Sequence, residues 1–349
     1  MQTILCTLYN SLYLDKGLVL YDSLCECAKD FKLYVLCMDD KCYEVLTALK
    51  QEHHIPVRLS DFENGDEALL EAKGNRPMGE YCWTCSSSFI RYVLKHCGEK
   101  SCTYIDADMY FYNDPQILID EMIGAGKSVM VVPHRFPDDK KALANRTGRY
   151  CVEFNTFLNT SESLAVLEYW RGRCLECCSN IGDGIHWGDQ KYLEELIAMY
   201  DCVYECDNPG AGIAPWNIPL YHGIDGSENS VLFTPMKRRI DIIFYHFQGL
   251  TYITRENIST AISANMATVD YSLVDRLYCH YLRHIDAKKK LLNDRYGINI
   301  LIKFHPSVKG LTQIKMLLRN TMTYKMLKRF FAPMRGNGPY CISIAQSTI

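Results

Sequence analysis

Two carboxylates one residue apart, Asp106 and Asp108, interrupt the apolar and aromatic stretch Tyr104-Ile105-Asp106-Ala107-Asp108-Met109-Tyr110-Phe111. The pattern predicts a buried strand that delivers both acids at its exposed C-terminal end. In extended chain, residues two apart point to the same side, so the pair can face one cation. Carboxylate oxygens suit hard dications such as Mg²⁺ or Mn²⁺, which commonly keep positions open for substrate phosphates. The plainer reading of the same residues is a strand end followed by a polar turn, Asn113-Asp114-Pro115. The rest of the chain has to decide between them.

A carboxylate pair of this kind needs a rigid sheet beneath it. Thr3 to Leu8 is a short apolar run, Tyr9-Asn10-Ser11 a loop, and Leu14 to Lys29 a helix-like segment. Phe31 to Met38 reads as a second strand ending in Asp39-Asp40, followed by a helix over about 41–53 and a third strand over 55–59. This β-α-β-α-β alternation predicts an α/β protein with a mostly parallel, Rossmann-like sheet and helices on both faces. Ligands gather at the C-terminal strand ends of such sheets, and Thr7, Tyr13 and Asp39 fall there. Further along, Glu80 to His96 is helical, entered through Tyr81-Cys82-Trp83-Thr84. Strands follow at 129–132 and 153–159, and Ser161 is placed to cap a helix running to about Arg173. Trp187-Gly188-Asp189-Gln190 opens a further helix, with Asp189 also readable as its cap. The run Asn208 to Asn217 is too rich in Gly and Pro to be regular, and 240–247 is a late strand carrying His246, with Gly249 behind it.

At 349 residues, with 48% hydrophobic and 23% charged residues, the chain has the composition of an ordinary globular protein. No apolar run approaches the roughly 18 residues needed to span a bilayer, and the N-terminus lacks a basic-then-apolar signal. A cytoplasmic protein is expected. The 17 cysteines include Cys82-x-x-Cys85, Cys25-x-Cys27 and Cys174/Cys177/Cys178, but no second pair sits at zinc-finger spacing, so reduced thiols are expected. Charge is uneven: residues 283–335 hold 13 Lys and Arg against 2 Asp and Glu, a net +11, and the overall −3 leaves −14 elsewhere. Ile314, Leu317, Leu318 and Met322 lie at roughly helical spacing among these cations. This basic segment predicts a peripheral contact with an anionic membrane surface on its cytoplasmic face, or packing on the acidic body. Nucleic acid is not expected, because no binding motif accompanies the charge.

Taken in order, Tyr104-Ile105-Asp106-Ala107-Asp108, Gly188-Asp189-Gln190 and His246-Phe247-Gln248-Gly249 resemble the GT-A nucleotide-sugar transferases. Within them the chain is most similar to bacterial polysaccharide-type and lipopolysaccharide-type enzymes near glycosyltransferase family eight. The loop from Pro209 to Asn217 adds to the likeness. The resemblance covers roughly residues 1–255 as a GT-A domain and leaves 256–349 as a helical, basic C-terminal extension.

The resemblance implies a hexosyltransferase-type enzyme. It would move sugar from a nucleotide-diphosphate sugar, a UDP-sugar first, to a glycan or lipid-linked acceptor. Asp106, Asp108 and His246 would hold Mn²⁺ or Mg²⁺, and the imidazole favours Mn²⁺. Asp189 and Gln190 would lie beside the donor sugar as the catalytic pair. Tyr13 would stack the base, with Thr7, Asp39, Trp83, Thr84, Trp216, Asn217 and Gly249 completing the donor site. Three departures stand out. Leu250-Thr251-Tyr252 replaces the family's phosphate-gripping Lys-Pro-Trp, Cys151-Val152-Glu153 replaces its Asn-x-Gly, and Trp83-Thr84 stands where a donor-binding Arg is sought. Two rival readings use the same residues: a haloacid-dehalogenase-type phosphatase with Asp106 as nucleophile, and a transferase-like protein that binds nucleotide sugar or glycan without turnover.

Overall fold

The structure is a computed structural model, and it describes residues 2–179, 187–252, 257–264, 266–300 and 339–343. The chain divides into two compact units, Met1–Ile213 with Arg239–His246, and Ala214–Arg238 with Phe247–Ile349. The boundary expected at 255 therefore falls inside the second unit.

The first unit has the α/β architecture expected from sequence. Its elements run β1 (Thr3–Tyr9), α1 (Leu14–Cys27), β2 (Phe31–Cys37), α2 (Asp40–Leu49), β3 (His54–Arg58), α3 (Leu59–Glu63), α4 (Glu67–Asn75), α5 (Met78–Lys95), β4 (Ser101–Ile105), β5 (Met109–Phe111), α6 (Gln116–Gly124), β6 (Val129–Pro133), α7 (Leu143–Thr147), β7 (Tyr150–Leu158), α8 (Ser161–Glu176), α9 (Leu193–Met199) and β8 (Val203–Glu205). Seven strands form one sheet in the order β3-β2-β1-β4-β7-β6-β8. Pairing is parallel except on both sides of β7, which runs antiparallel to β4 and β6. Strands buried on both faces read as continuous apolar runs, and β1 and β2 do so. Their core partners include Phe89, Ile90 and Val93 of α5 and Val166, Leu167 and Trp170 of α8. The cap of α8 is Thr160, whose side chain accepts from the Ser163 N–H, one residue before the cap expected from sequence.

The same unit ends with the strand after β11, which spans Arg238–Asp241. That strand is β12 (Phe244–His246), paired antiparallel with β5 outside the large sheet. In the second unit, β9 (Tyr221–Gly223) and β10 (Ser230–Phe233) form an antiparallel pair. A three-stranded sheet joins β13 (Thr251–Tyr252), β14 (Asn257–Ser263) and β15 (Pro339–Ser343) in that order, so the C-terminal region carries strands as well as helix. Its helix, α10 (Tyr271–Tyr296), is capped by Asp270 and closed by Gly297 in the left-handed region. Phe247 stacks on Tyr281 at 3.8 Å between ring centroids. The basic segment begins on α10; its residues 301–335, with the apolar positions at 314–322, lie outside the described residues. No described helix is long and apolar enough to cross a membrane, and all 17 cysteines are free thiols.

Candidate active site

Two strand registers assemble the site. β4 ends at Ile105, and because β7 runs the other way, its early residues lie against that end. Asp106 follows, donating its N–H to the Glu153 carbonyl at 3.2 Å. The β5–β12 pair sets His246 opposite Met109, which brings the imidazole beside Asp108. His246 Nε2 lies 3.1 Å from Asp108 Oδ1 and 3.6 Å from Asp106 Oδ2. Its Nδ1 lies 2.6 Å from Glu153 Oε2. Exposure is graded: 31% for the Asp106 side chain, 16% for Asp108, 4% for His246 and none for Glu153. The ligand-bearing end is open, and the support behind it is sealed.

Charges follow this geometry. Burial pushes the Asp106 carboxyl up to about 6; the His246 charge opposes this, while Asp108 and Glu153 add to it. Burial also acts on Asp108, but the charge and hydrogen bond of His246, with Lys16, more than offset it and hold the group at about 2. Burial disfavours the imidazolium, yet Asp108, Cys151 and Glu153 raise His246 well above its ordinary value. The trio suits a dication on its donor chemistry. Two carboxylates with one imidazole fit Mn²⁺ better than an all-oxygen set would.

Asp189 is buried within electrostatic reach of Asp106, and its Oδ2 lies 2.6 Å from Ser86 Oγ on α5. Burial pushes it up to about 7, and the charge of Asp106 contributes; the Ser86 hydrogen bond opposes. The residue does not open a helix as expected. Gly188 takes a left-handed φ of 56° beneath the Trp83 ring, a turn that favours glycine, and α9 starts only at Leu193. The Gln190 amide donates to the Thr147 carbonyl.

The other sequence-predicted residues divide by burial. Thr7 is fully buried within β1. Asp39 caps α2 through Cys42 and accepts from the N–H and hydroxyl of Ser11, so it ties the loop after β1 to the next helix. Thr84 is buried, donating to the Glu80 carbonyl and accepting from Arg76. Tyr13 is 40% exposed, and the Lys16 ammonium sits 3.7 Å from its ring centroid. Trp83 is 39% exposed. Trp216, Asn217 and Gly249 belong to the second unit. There Trp216 is half-buried, Asn217 Oδ1 accepts from the Ala214 N–H, and Gly249 holds a left-handed φ of 74° where a Cβ would meet that of Ala261. Sequence reasoning missed Lys16, Cys151 and Glu153 as members of the site. For Glu153 a signal existed: a charged residue inside the aromatic and β-branched run from Tyr150 to Leu158.

A comparison with curated proteins settles the chain's relationship. It is 33% identical over 257 residues to the uncharacterized protein YfnD of Bacillus subtilis (strain 168), an alignment spanning 72% of this chain and 79% of that protein. The chain belongs to the YfnD family. The uncharacterized YfnF of the same organism is 29% identical over 297 residues, across 84% of this chain and 95% of its own. No family model matches. Among solved structures, galactosyltransferase LgtC in complex with donor and acceptor sugar analogs superposes with a TM-score of 0.51 at 12% identity, over 82% of this chain and 96% of its own. This YfnD-family member therefore shares the GT-A fold, at a sequence distance where only fold is carried across.

Proposed function

We propose that this YfnD-family protein is a metal-dependent glycosyltransferase. In this reading it moves a hexose from a nucleotide-diphosphate sugar, a UDP-sugar first, to a hydroxyl of a glycan or lipid-linked acceptor. One observation carries the reading: at the open end of the sheet the carboxylates of Asp106 and Asp108 both approach His246 Nε2, at 3.6 Å and 3.1 Å, a donor set that suits a dication. A dication held by these residues would supply charge neutralisation for the diphosphate leaving group. Asp108, which stays ionised across the physiological range, anchors the centre, and His246 contributes the nitrogen donor that discriminates in favour of Mn²⁺. Asp189 and Gln190 line the sugar, with Asp189 poised near neutrality to donate or accept a proton. Tyr13 offers an exposed ring for the base. The phosphatase reading gives His246 no task. A cytoplasmic enzyme held at an anionic membrane face by residues from about 283 onward would meet a lipid-linked acceptor there.

The test is a thermal-shift panel of nucleotide sugars with and without Mn²⁺, followed by donor turnover with and without acceptor glycans. A ligand at 100 times its dissociation constant stabilises by about 2.7 kcal/mol, which such a panel resolves. Mn²⁺-dependent stabilisation by a nucleotide sugar, with sugar transfer, supports the reading. Stabilisation without turnover leaves a binding protein, and release of phosphate from simple monoesters returns the phosphatase.

A further inference from the structure

The side chains behind His246 have a purpose that the proposed metal centre alone does not account for. Glu153 is fully buried on β7, yet only one of its carboxylate oxygens is used: Oε2 meets His246 Nδ1 at 2.6 Å, and Oε1 has no hydrogen-bond partner among the described residues. A half-paired buried carboxylate is a poor structural choice, since an unsatisfied charged atom away from water costs stability. The surrounding backbone also crowds it. Gly212, at a left-handed φ of 72°, approaches so closely that a Cβ there would lie 2.9 Å from Oε1. Cys151, two residues earlier on the same face of β7, adds its thiol, and the three donor atoms of Cys151, Glu153 and His246 lie within 4.8 Å of one another.

Such a trio invites reading as a second metal site, and distance argues against it. Two ligands of a tetrahedral ion with bonds of about 2.0–2.1 Å are about 3.3 Å apart. The 2.6 Å between Nδ1 and Oε2 leaves room for a proton and nothing larger. With Nδ1 keeping its proton toward Glu153, Nε2, the atom facing Asp106 and Asp108, is the nitrogen that gives up its proton and turns its lone pair to a cation. We infer that Glu153 is a positioning residue which fixes the Nε2-donating tautomer of His246, strengthens it as a ligand, and so sets the preference of the centre for Mn²⁺ over Mg²⁺. The inference rests on the metal-centre reading of the proposed function. Its physical basis is general: a carboxylate behind a ligating imidazole orients the ring and raises its basicity, and losing it typically costs 10–100-fold in metal affinity. A nitrogen donor matters more to Mn²⁺ than to the oxygen-seeking Mg²⁺.

The experiment is titration of the full chain with Mn²⁺ alone, followed by loss of the free-ion EPR signal, with Mg²⁺ affinity read by competition. Glu153→Gln keeps the shape and a hydrogen-bond acceptor but removes the charge, and Asp108→Ala serves as the control that removes a ligand. Glu153→Gln should weaken Mn²⁺ about 10–100-fold while Mg²⁺ changes by less than about threefold, narrowing the selectivity, with thermal stability unchanged or raised. Glu153→Asp, which keeps charge but withdraws it from Nδ1, should fall between wild type and Glu153→Gln. Unchanged Mn²⁺ affinity in Glu153→Gln, or equal losses for the two ions, overturns the inference while leaving the metal centre standing. A wild-type chain that binds no Mn²⁺, or an Asp108→Ala variant that binds it as well as wild type, overturns the metal centre itself and the inference with it.

Discussion

Replacing Asp189 with Asn should stabilise the protein at alkaline pH and abolish transfer. The Ser86 hydroxyl lies within hydrogen-bond reach of both the Trp83 carbonyl, at 2.8 Å, and Asp189 Oδ2, at 2.6 Å. A hydroxyl has one proton to give. Divided between two acceptors, that proton only partly offsets the burial of Asp189. That geometry agrees with the carboxyl being pushed up to about 7 by burial, from an ordinary value of 3.8. A raised folded-state value means that the folded chain holds a proton the unfolded chain has released between about pH 4 and 7. Stability from this group is thus full below pH 4 and falls as pH rises to about 7, beyond which it is lost. At about 1.4 kcal/mol per pH unit, the shift of roughly three units caps the cost at about 4 kcal/mol above pH 7. Asn carries no charge and still accepts from Ser86, so Asp189→Asn should recover about 2–4 kcal/mol at pH 8 and little at pH 4. Urea unfolding at the two pH values measures it, and the same preparations assayed with donor should show transfer reduced by at least about a hundredfold. A gain equal at both pH values, or none at pH 8, would refute the reasoning about burial; stabilisation with transfer intact would remove Asp189 from the chemistry.

Asp108→Ala should eliminate Mn²⁺-dependent donor binding, read by thermal shift with nucleotide sugar, while far-UV circular dichroism stays native. Gln190→Ala, which frees the Thr147 carbonyl, should lower kcat by about tenfold or more, at least about 1.4 kcal/mol of barrier, with a smaller change in donor KM. A large KM change at constant kcat would assign Gln190 to ground-state binding. Vesicle co-sedimentation should show the full chain preferring anionic over neutral lipid and releasing at high salt, with a chain ending near residue 282 losing that preference; equal, salt-insensitive behaviour of the two would refute the membrane contact.

What could be read from sequence was what depends on neighbours along the chain. Apolar runs marked β1, β2 and β4, and their alternation with helices was enough for the parallel part of the sheet. Asp106 and Asp108 were legible because strand geometry fixes which way residues two apart point. The helix start at Trp187 was misread because Gly188 turns left-handed under Trp83, a contact made by a residue from α5, and Asp189 is consequently used sideways toward Ser86. The sheet of the second unit was hidden for a related reason. Thr260 donates to the Tyr340 carbonyl 80 residues away, and no local pattern announces such a partner. Glu153 is the instructive case. Its importance arises only because β7 runs against β4, so that residues at the beginning of one strand lie beside those at the end of the other. Had β7 been parallel, as alternation along the chain would suggest, Glu153 would sit at the far edge of the sheet from Asp106. The reversal of one strand turns an unremarkable Cys-Val-Glu into the wall behind His246, and it does so at the place where this YfnD-family chain departs from the sequence pattern it otherwise resembles.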